Sequence, residues 1–259
     1  MDTDKLTVLE IEKYINSFQG DMESLLKELS QDKRKSVGKL VQKQRKSLEK
    51  DLLEKERLKK LWKIEKSIYS GDFKKIVGID EAGRGPLAGP VVAAAVILPP
   101  FFLLEGLDDS KKVSEKKRIM LAEEIKNVAI AWSVALVDEK IIDKLNILEA
   151  TRHAMKTALD SLKVSPDFVL VDGEANPLIT LPQKGIIKGD LNSASIAAAS
   201  ILAKTYRDKL MKNYDKIYPE YGFKVHKGYG TAVHLAALKK YGPCPIHRDS
   251  FAPVIKSLK

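Results

Sequence analysis

From Lys75 onward, apolar residues come in short unbroken runs separated by glycines, prolines and acids. "KKIVGID" and "PVVAAAVIL" predict two buried strands joined by a glycine turn. "NVAIAWSVALV", residues 127–137, predicts a third. The spacing then becomes helical through "DEKIIDKLNILEATRHAMKTALDSL". "DFVLVDG", 167–173, and "GIIKGD", 185–190, predict two more short strands. "NSASIAAASILAKTYRDKLMKNYDKIY", 192–218, predicts a long helix whose apolar face starts with small residues. "TAVHLAALKKYG" predicts a further helix, with Gly242 as its stop. Three strands followed by helix and strand units make a mixed sheet flanked by helices, α/β in class. No internal repeat interrupts the pattern.

Residues 1–70 have a different texture. Apolar positions recur at helical spacing in charge-dense text, which predicts short helices near 7–17 and 21–30 and a long helix near 36–68. Glu54 and Arg57, and Glu56 and Lys60, have spacings that support an exposed helix. "SGDF" at 70–73 reads as a linker. Two domains are therefore expected: a helical, charge-rich N-terminal module at 1–70 and an α/β domain at 71–259 that includes C-terminal helices.

The 259-residue chain carries a net charge of +10 and is 44% hydrophobic. A pI near 9.4 suits a polyanionic partner, usually nucleic acid, or merely a soluble basic surface. The charge is uneven: residues 1–32 hold eight acids against three bases, and residues 33–66 hold fourteen bases against five acids. The one cysteine, Cys244, rules out an internal disulfide framework and fits a reducing cytoplasm. The N-terminus lacks the pattern of a secretory signal, and "VVAAAVILPPFFLL", broken by Pro99 and Pro100, is too short to span a membrane. A cytoplasmic protein with no membrane association is expected.

Three acids sit where an apolar strand stops: Asp80 after "IVGI", Asp172 after "FVLV" and Asp190 after "IIKG". Glu81 follows the first directly. Neighbouring strand ends meet at one edge of a sheet core. Carboxylates converging there repel unless cations neutralise them, and an all-oxygen set suits Mg²⁺ or Mn²⁺ better than Zn²⁺. Two such ions flanking a phosphate suit hydrolysis. The bland alternative is that each acid caps a turn or a helix. Between the strands, Gly83 and Gly85 would let the backbone approach a ligand closely. Arg84 between them could meet a phosphate or a sugar oxygen. The segment is longer than a simple hairpin needs, and it is not a Walker loop.

"GIDEAGRGPLAGPVVAAAV" resembles the signature of ribonuclease HII. The resemblance continues in order through "LDDSKKVSEKKR", "VDG", "KGD", "SASIAAASILAKTYRD", "HKGYGT" and "YGPCPIHRDSF", over about residues 73–259. Ribonuclease HIII also carries an acid pair, but with a glycine motif that typically lacks the arginine, so the chain is more similar to HII. The resemblance implies an RNase H-like fold with a C-terminal helical region. It implies hydrolysis of the RNA strand of RNA–DNA hybrids and incision of DNA at embedded ribonucleotides, leaving 3′-hydroxyl and 5′-phosphate ends. Asp80, Glu81, Asp172 and Asp190 match the family's catalytic, metal-binding carboxylates. Gly83, Arg84 and Gly85 match the loop at the ribonucleotide's 2′-hydroxyl, and Tyr229 matches the tyrosine that packs on a sugar at the RNA–DNA junction.

Lys111, Lys112, Lys204 and Arg207 are candidate phosphate contacts, or members of a solvated basic face. His226 and Lys227 are candidate phosphate or sugar contacts. His153 and His234 read as packing or surface histidines. Cys244 and His247 lack a third orienting group, so a nucleophilic pair is not expected. Ser193 and Ser195 suit a helix start after Asp190. The expected partners are RNA–DNA hybrid and ribonucleotide-containing DNA, bound by a monomer. Two other classes fit parts of the pattern: a DNA-cleaving integrase or resolvase on the same fold, and a non-catalytic nucleic-acid binder. The "GRG" and "HKGYGT" segments speak against the first, and the intact acid set against the second.

Overall fold

The structure, a computed structural model, describes residues 6–257. The chain forms two compact units, Met1–Arg57 and Leu58–Lys259. The first holds helices α1 (Val8–Ser17) and α2 (Met22–Leu29) and most of α3 (Lys35–Leu61). Thr7 and Glu10 form a reciprocal capping box at the start of α1. Ile11, Ile15, Leu25, Leu26, Leu29, Val37 and Val41 close a small apolar core among these helices.

The helix expected over 36–68 is two helices. Trp62, at φ −84° and ψ 4°, interrupts it before α4 (Lys63–Tyr69). The Trp62 indole N–H donates to the Phe102 carbonyl at 2.9 Å, and its ring packs on Phe101. Leu58, Leu61 and Trp62 belong to the core of the second unit. Apolar spacing runs smoothly through 61–63, so the sequence carries no sign of this break.

The second unit is a five-stranded mixed sheet in the order β3-β2-β1-β4-β5, with β1 (Ile76–Ala82), β2 (Val91–Ile97), β3 (Ala131–Val137), β4 (Phe168–Asp172) and β5 (Gln183–Ile186). β1 pairs antiparallel with β2, as does β2 with β3, while β4 runs parallel to both β1 and β5. Helices cover both faces. α5 (Glu115–Val128) lies on one face with α9 (Ala194–Ile217), and α7 (Ile147–Asp160) lies on the other. Every residue of β2 is buried, because alternate side chains serve the two cores. The small side chains of "VVAAAVI" let both helix layers approach the sheet. Gly78 takes this furthest: a Cβ there would sit 2.1 Å from the Ser195 backbone on α9.

Among the described residues, five further helices complete the unit: α6 (Glu139–Leu145), α8 (Gly189–Asn192), α10 (Phe223–His226), α11 (Ala232–Tyr241) and α12 (Ala252–Ser257). Three expectations shift. Residues 115–128 form α5, so the strand expected from 127 begins at Ala131. The helix expected over 138–162 is split at Asn146, whose φ is +75° and whose side chain caps α7. The strand expected over 185–190 ends at Ile186, and Asp190 lies in α8. Lys188, left-handed at φ +54°, makes that turn. Among the described residues, no helix is long and apolar enough to cross a membrane.

Candidate metal centre and nucleic-acid interface

β1 and β4 are parallel neighbours, so their last residues come out at the same edge of the sheet. Asp80, Glu81 and Asp172 meet there, with one carboxylate oxygen of each within 4.8 Å of the others. Asp80 is buried, and burial pushes its carboxyl well above the usual range, with the charges of Glu81 and Asp172 adding to the rise. Burial also raises Glu81, although Arg84 opposes it, with its Nη1 3.3 Å from a Glu81 oxygen. A site that raises its own acids in this way is one that a divalent cation would stabilise.

Asp190 is not one of the three acids that meet within 4.8 Å; it stands near Asp172 at the start of α8, and not at the strand end expected of it. The Gly189 amide donates to Asp172 Oδ1 at 2.6 Å, which ties the start of α8 to the end of β4. A Cβ there would lie 2.6 Å from Ile196 Cδ1 and 3.1 Å from Asp172 Oδ1, so a larger residue would make both side chains shift. Asp190 is buried, and its carboxyl is raised by burial, then by Asp109 and Asp172, with Lys111 opposing. Lys111 Nζ stands 3.9 Å from Asp190 Oδ2. Burial works against the charge on Lys111, but Asp109, Asp190, Asp80 and Asp172 together hold its pKa above the usual lysine value. The loop carrying Lys111 is fixed from below. Arg118, buried, donates to the carbonyls of Ser110 and Val113 and to Asp208. The Ser110 hydroxyl lies 2.9 Å from that of Ser200, which in turn hydrogen-bonds Asp80.

The "GRG" segment forms the rim. Gly83 has φ +99°, and a Cβ there would lie 2.1 Å from Arg207 Nε, so both conformation and space demand glycine. Arg84 and Gly85 are exposed. The loop is bound to the "HKGYGT" segment by the Leu87 amide, which donates to Gly228 O at 2.8 Å. This brings the half-exposed ring of Tyr229 beside Gly85, where an added Cβ would be 3.6 Å from Tyr229 Cε1.

Two of the proposed contact residues have other work. Arg207 is only 1% exposed and donates to the carbonyls of Pro90, Lys227 and Ala88, each at 3.0 Å. It braces the rim from inside and does not face a phosphate. His226 is buried between Tyr221 O and the Gly228 amide, so it shapes the turn and is not a surface contact. Lys204 is held by Asp208 at 2.6 Å. Lys227 turns its ammonium onto the Lys224 carbonyl. Lys111 and Lys112 are exposed, with Lys112 3.9 Å from Asp108.

Sequence reasoning missed Arg248. It is fully buried, and its guanidinium donates to the carbonyls of Gly83, Arg84 and Gly89. Within "PIHRDSFAPVI" Arg248 has polar neighbours on both sides, so nothing in the sequence clearly marks its guanidinium as buried among several acceptors. Glu65 was missed as well. Buried on α4, it accepts from the Ser193 hydroxyl at 2.6 Å and the Ser195 amide at 2.9 Å, fixing the start of α9 next to Asp190. Nothing in a charge-dense helix marks one glutamate out.

A family model described as Ribonuclease HII matches residues 77–254, and one described as Ribonuclease HII N-terminal domain matches residues 7–69. The chain is 50% identical over 254 residues to a ribonuclease HII of Desulfitobacterium hafniense, covering 98% of this chain and 97% of that one. It is 48% identical over 252 residues to that of Geobacillus thermodenitrificans, covering 97% of each. Among solved structures it is similar to ribonuclease H2 from Pyrococcus horikoshii, with a TM-score of 0.60 and 27% identity over 71% of this chain and 97% of that chain.

Proposed function

The chain belongs to the ribonuclease HII family, metal-dependent endonucleases acting on the RNA of RNA–DNA hybrids, and from that premise we propose that it also incises DNA at single embedded ribonucleotides, with Asp80, Glu81, Asp172 and Asp190 holding two divalent cations, Mg²⁺ or Mn²⁺. The observation that carries this reading is the convergence of Asp80, Glu81 and Asp172 within 4.8 Å. The donor set fits the ions, being hard, anionic and oxygen-only. When bound, the cations supply an activated water and neutralise charge on the phosphate and the leaving oxygen.

The protein's own groups set up the rest. Asp80 on a central strand and Asp172 on its parallel neighbour give two rigid points, and α8 brings Asp190 beside them. Lys111, exposed and charged at the acid edge, suits a backbone phosphate. Gly85 offers bare backbone at the rim, and Tyr229 offers a ring face beside it. Together they can accept a sugar edge and sense its 2′-hydroxyl, the group that separates RNA from DNA. That hydroxyl serves recognition and not attack, so products carry 3′-hydroxyl and 5′-phosphate ends. The basic stretch 33–66 adds non-specific grip on the duplex.

The test is incubation with a DNA duplex bearing one ribonucleotide, with Mg²⁺, with Mn²⁺ and with chelator. Metal-dependent cutting at that one position, absent from an all-DNA duplex, is expected. Cutting of the all-DNA duplex, or cutting in chelator, would overturn the reading.

A further inference from the structure

Three of the chain's four histidines gather behind Tyr229. His226, His234 and His247 are 8%, 0% and 3% exposed. Aromatic rings wall them in: Phe223 and Tyr221 pack on His234 and His247, and His226 stacks on His234 at 4.5 Å.

Their hydrogen bonds admit one arrangement of protons. His234 Nδ1 lies 3.0 Å from the Tyr229 carbonyl, which can only accept, so Nδ1 carries the hydrogen. In a neutral ring, Nε2 is then a bare acceptor. It lies 3.0 Å from His247 Nε2, which must therefore be the N–H donor. His247 Nδ1 is left as an acceptor, and the Cys244 amide points at it from 2.9 Å. The Cys244 carbonyl, 3.2 Å from the same nitrogen, is already served by the His247 amide at 2.9 Å. His226 is fixed separately, with Nε2–H on Tyr221 O and Nδ1 receiving the Gly228 amide. Burial lowers His234 and pushes His247 down to about 4, which keeps both rings neutral near pH 7. A proton added to either ring would set two donors against each other.

The relay thus runs one way, from the Cys244 amide through His247 and His234 to the Tyr229 carbonyl. That carbonyl also receives the Thr231 amide at 2.8 Å, and the Tyr229 amide donates to His226 O at 2.9 Å. Both polar backbone atoms of Tyr229 are pinned, and only its ring is free. We propose that His234, oriented by His247, is a positioning residue for Tyr229, holding its ring beside Gly85 and so setting discrimination between ribose and deoxyribose. The inference rests on the reading of Tyr229 as the residue that meets the sugar.

Two measurements on the full chain test it. Long-range ¹⁵N NMR of the imidazoles reads the tautomers whatever Tyr229 does. His234 as the Nδ1–H form, with His226 and His247 as Nε2–H forms, is expected, and any other pattern overturns the relay. Kinetics then read the consequence, comparing incision at one embedded ribonucleotide with cleavage of a uniform hybrid. His234→Phe keeps a ring and loses the bond, and the preference for the single ribonucleotide should fall about tenfold at unchanged metal dependence. His234→Asn can donate to the same carbonyl and should recover most of it. His247→Gln, which donates to His234, should likewise exceed His247→Met, should His234→Phe fail to fold. In a Tyr229→Ala background these substitutions should add nothing. Equal losses in His234→Phe and His234→Asn, or an undiminished effect in the Tyr229→Ala background, would overturn the positioning role. If Tyr229→Ala alone leaves the preference intact while the NMR pattern holds, the sugar-reading role of Tyr229 falls, and the functional half of the inference with it.

Discussion

Arg248 donates from Nη1 to the carbonyl oxygen of Arg84 at 2.9 Å, and the two residues are 164 positions apart in the chain. One buried guanidinium thus fixes the conformation of the exposed "GRG" rim from a distant part of the chain. It shares the task with Arg207, which holds Ala88 and Pro90.

Arg248→Ala leaves the carbonyls of Gly83, Arg84 and Gly89 short of donors. Each buried unpaired group costs roughly 1–3 kcal/mol, so a loss of at least about 2 kcal/mol in denaturant unfolding is expected. Arg248→Lys should rescue little, because an ammonium cannot span three acceptors as a planar fork does.

Gly83→Ala and Gly85→Ala should behave differently. At Gly83 a Cβ meets Arg207 in a positive-φ conformation, so the variant should unfold more easily, by about 1–3 kcal/mol. At Gly85 the nearest atom is Tyr229 Cε1 at 3.6 Å, so the fold should hold. Incision at a ribonucleotide should fall, because the added methyl stands where the sugar would approach. Thermal melts and single-site incision assays separate the two outcomes.

Asp80→Asn should abolish cleavage and yet stabilise the metal-free protein. A carboxyl whose folded pKa is raised contributes stability that is complete below its unfolded value near 3.8 and is lost as pH rises through the folded value. The metal-free wild type should therefore lose melting temperature with rising pH more steeply than the variant. Near pH 7.5 the variant should melt higher by a few degrees, equivalent to about 1 kcal/mol or more in a unit of this size. Mn²⁺ should raise the melting temperature of the wild type and hardly affect that of the variant.

A chain beginning at Leu58 should fold and keep metal-dependent cleavage at saturating substrate. One beginning at Ser70 should not, because it lacks Leu58, Leu61 and Trp62 from the core and Glu65 from the start of α9. The Leu58 chain should bind hybrid more weakly, and its affinity should depend less steeply on salt, because the basic stretch 33–57 is gone. An unchanged salt slope would leave residues 1–57 without a role in duplex binding.

The sequence by itself determined the class of fold, since unbroken apolar runs alternating with helical spacing admit little but a covered mixed sheet. It also marked the acids, because a carboxylate at the mouth of a buried strand is costly and conspicuous. For Asp80 and Asp172 that reading needed only the local pattern and the parallel pairing of β1 with β4. Asp190 was expected at a strand end but lies in α8, since the left-handed turn at Lys188 carries no strong signal in "IIKGD". Tertiary structure decided the rest, for a common reason: a polar side chain looks the same in sequence whether water or protein satisfies it. Arg207 and Lys204 share one basic helix with similar text, yet Arg207 spends its donors on buried carbonyls. His226, His234 and His247 stand in three segments as separate unremarkable residues, and only packing brings their nitrogens within 3 Å or so of fixed partners. The end of α3 is the same case in apolar terms. Leu58, Leu61 and Trp62 continue the helix's spacing without a break, and only the core they enter shows to which unit they belong.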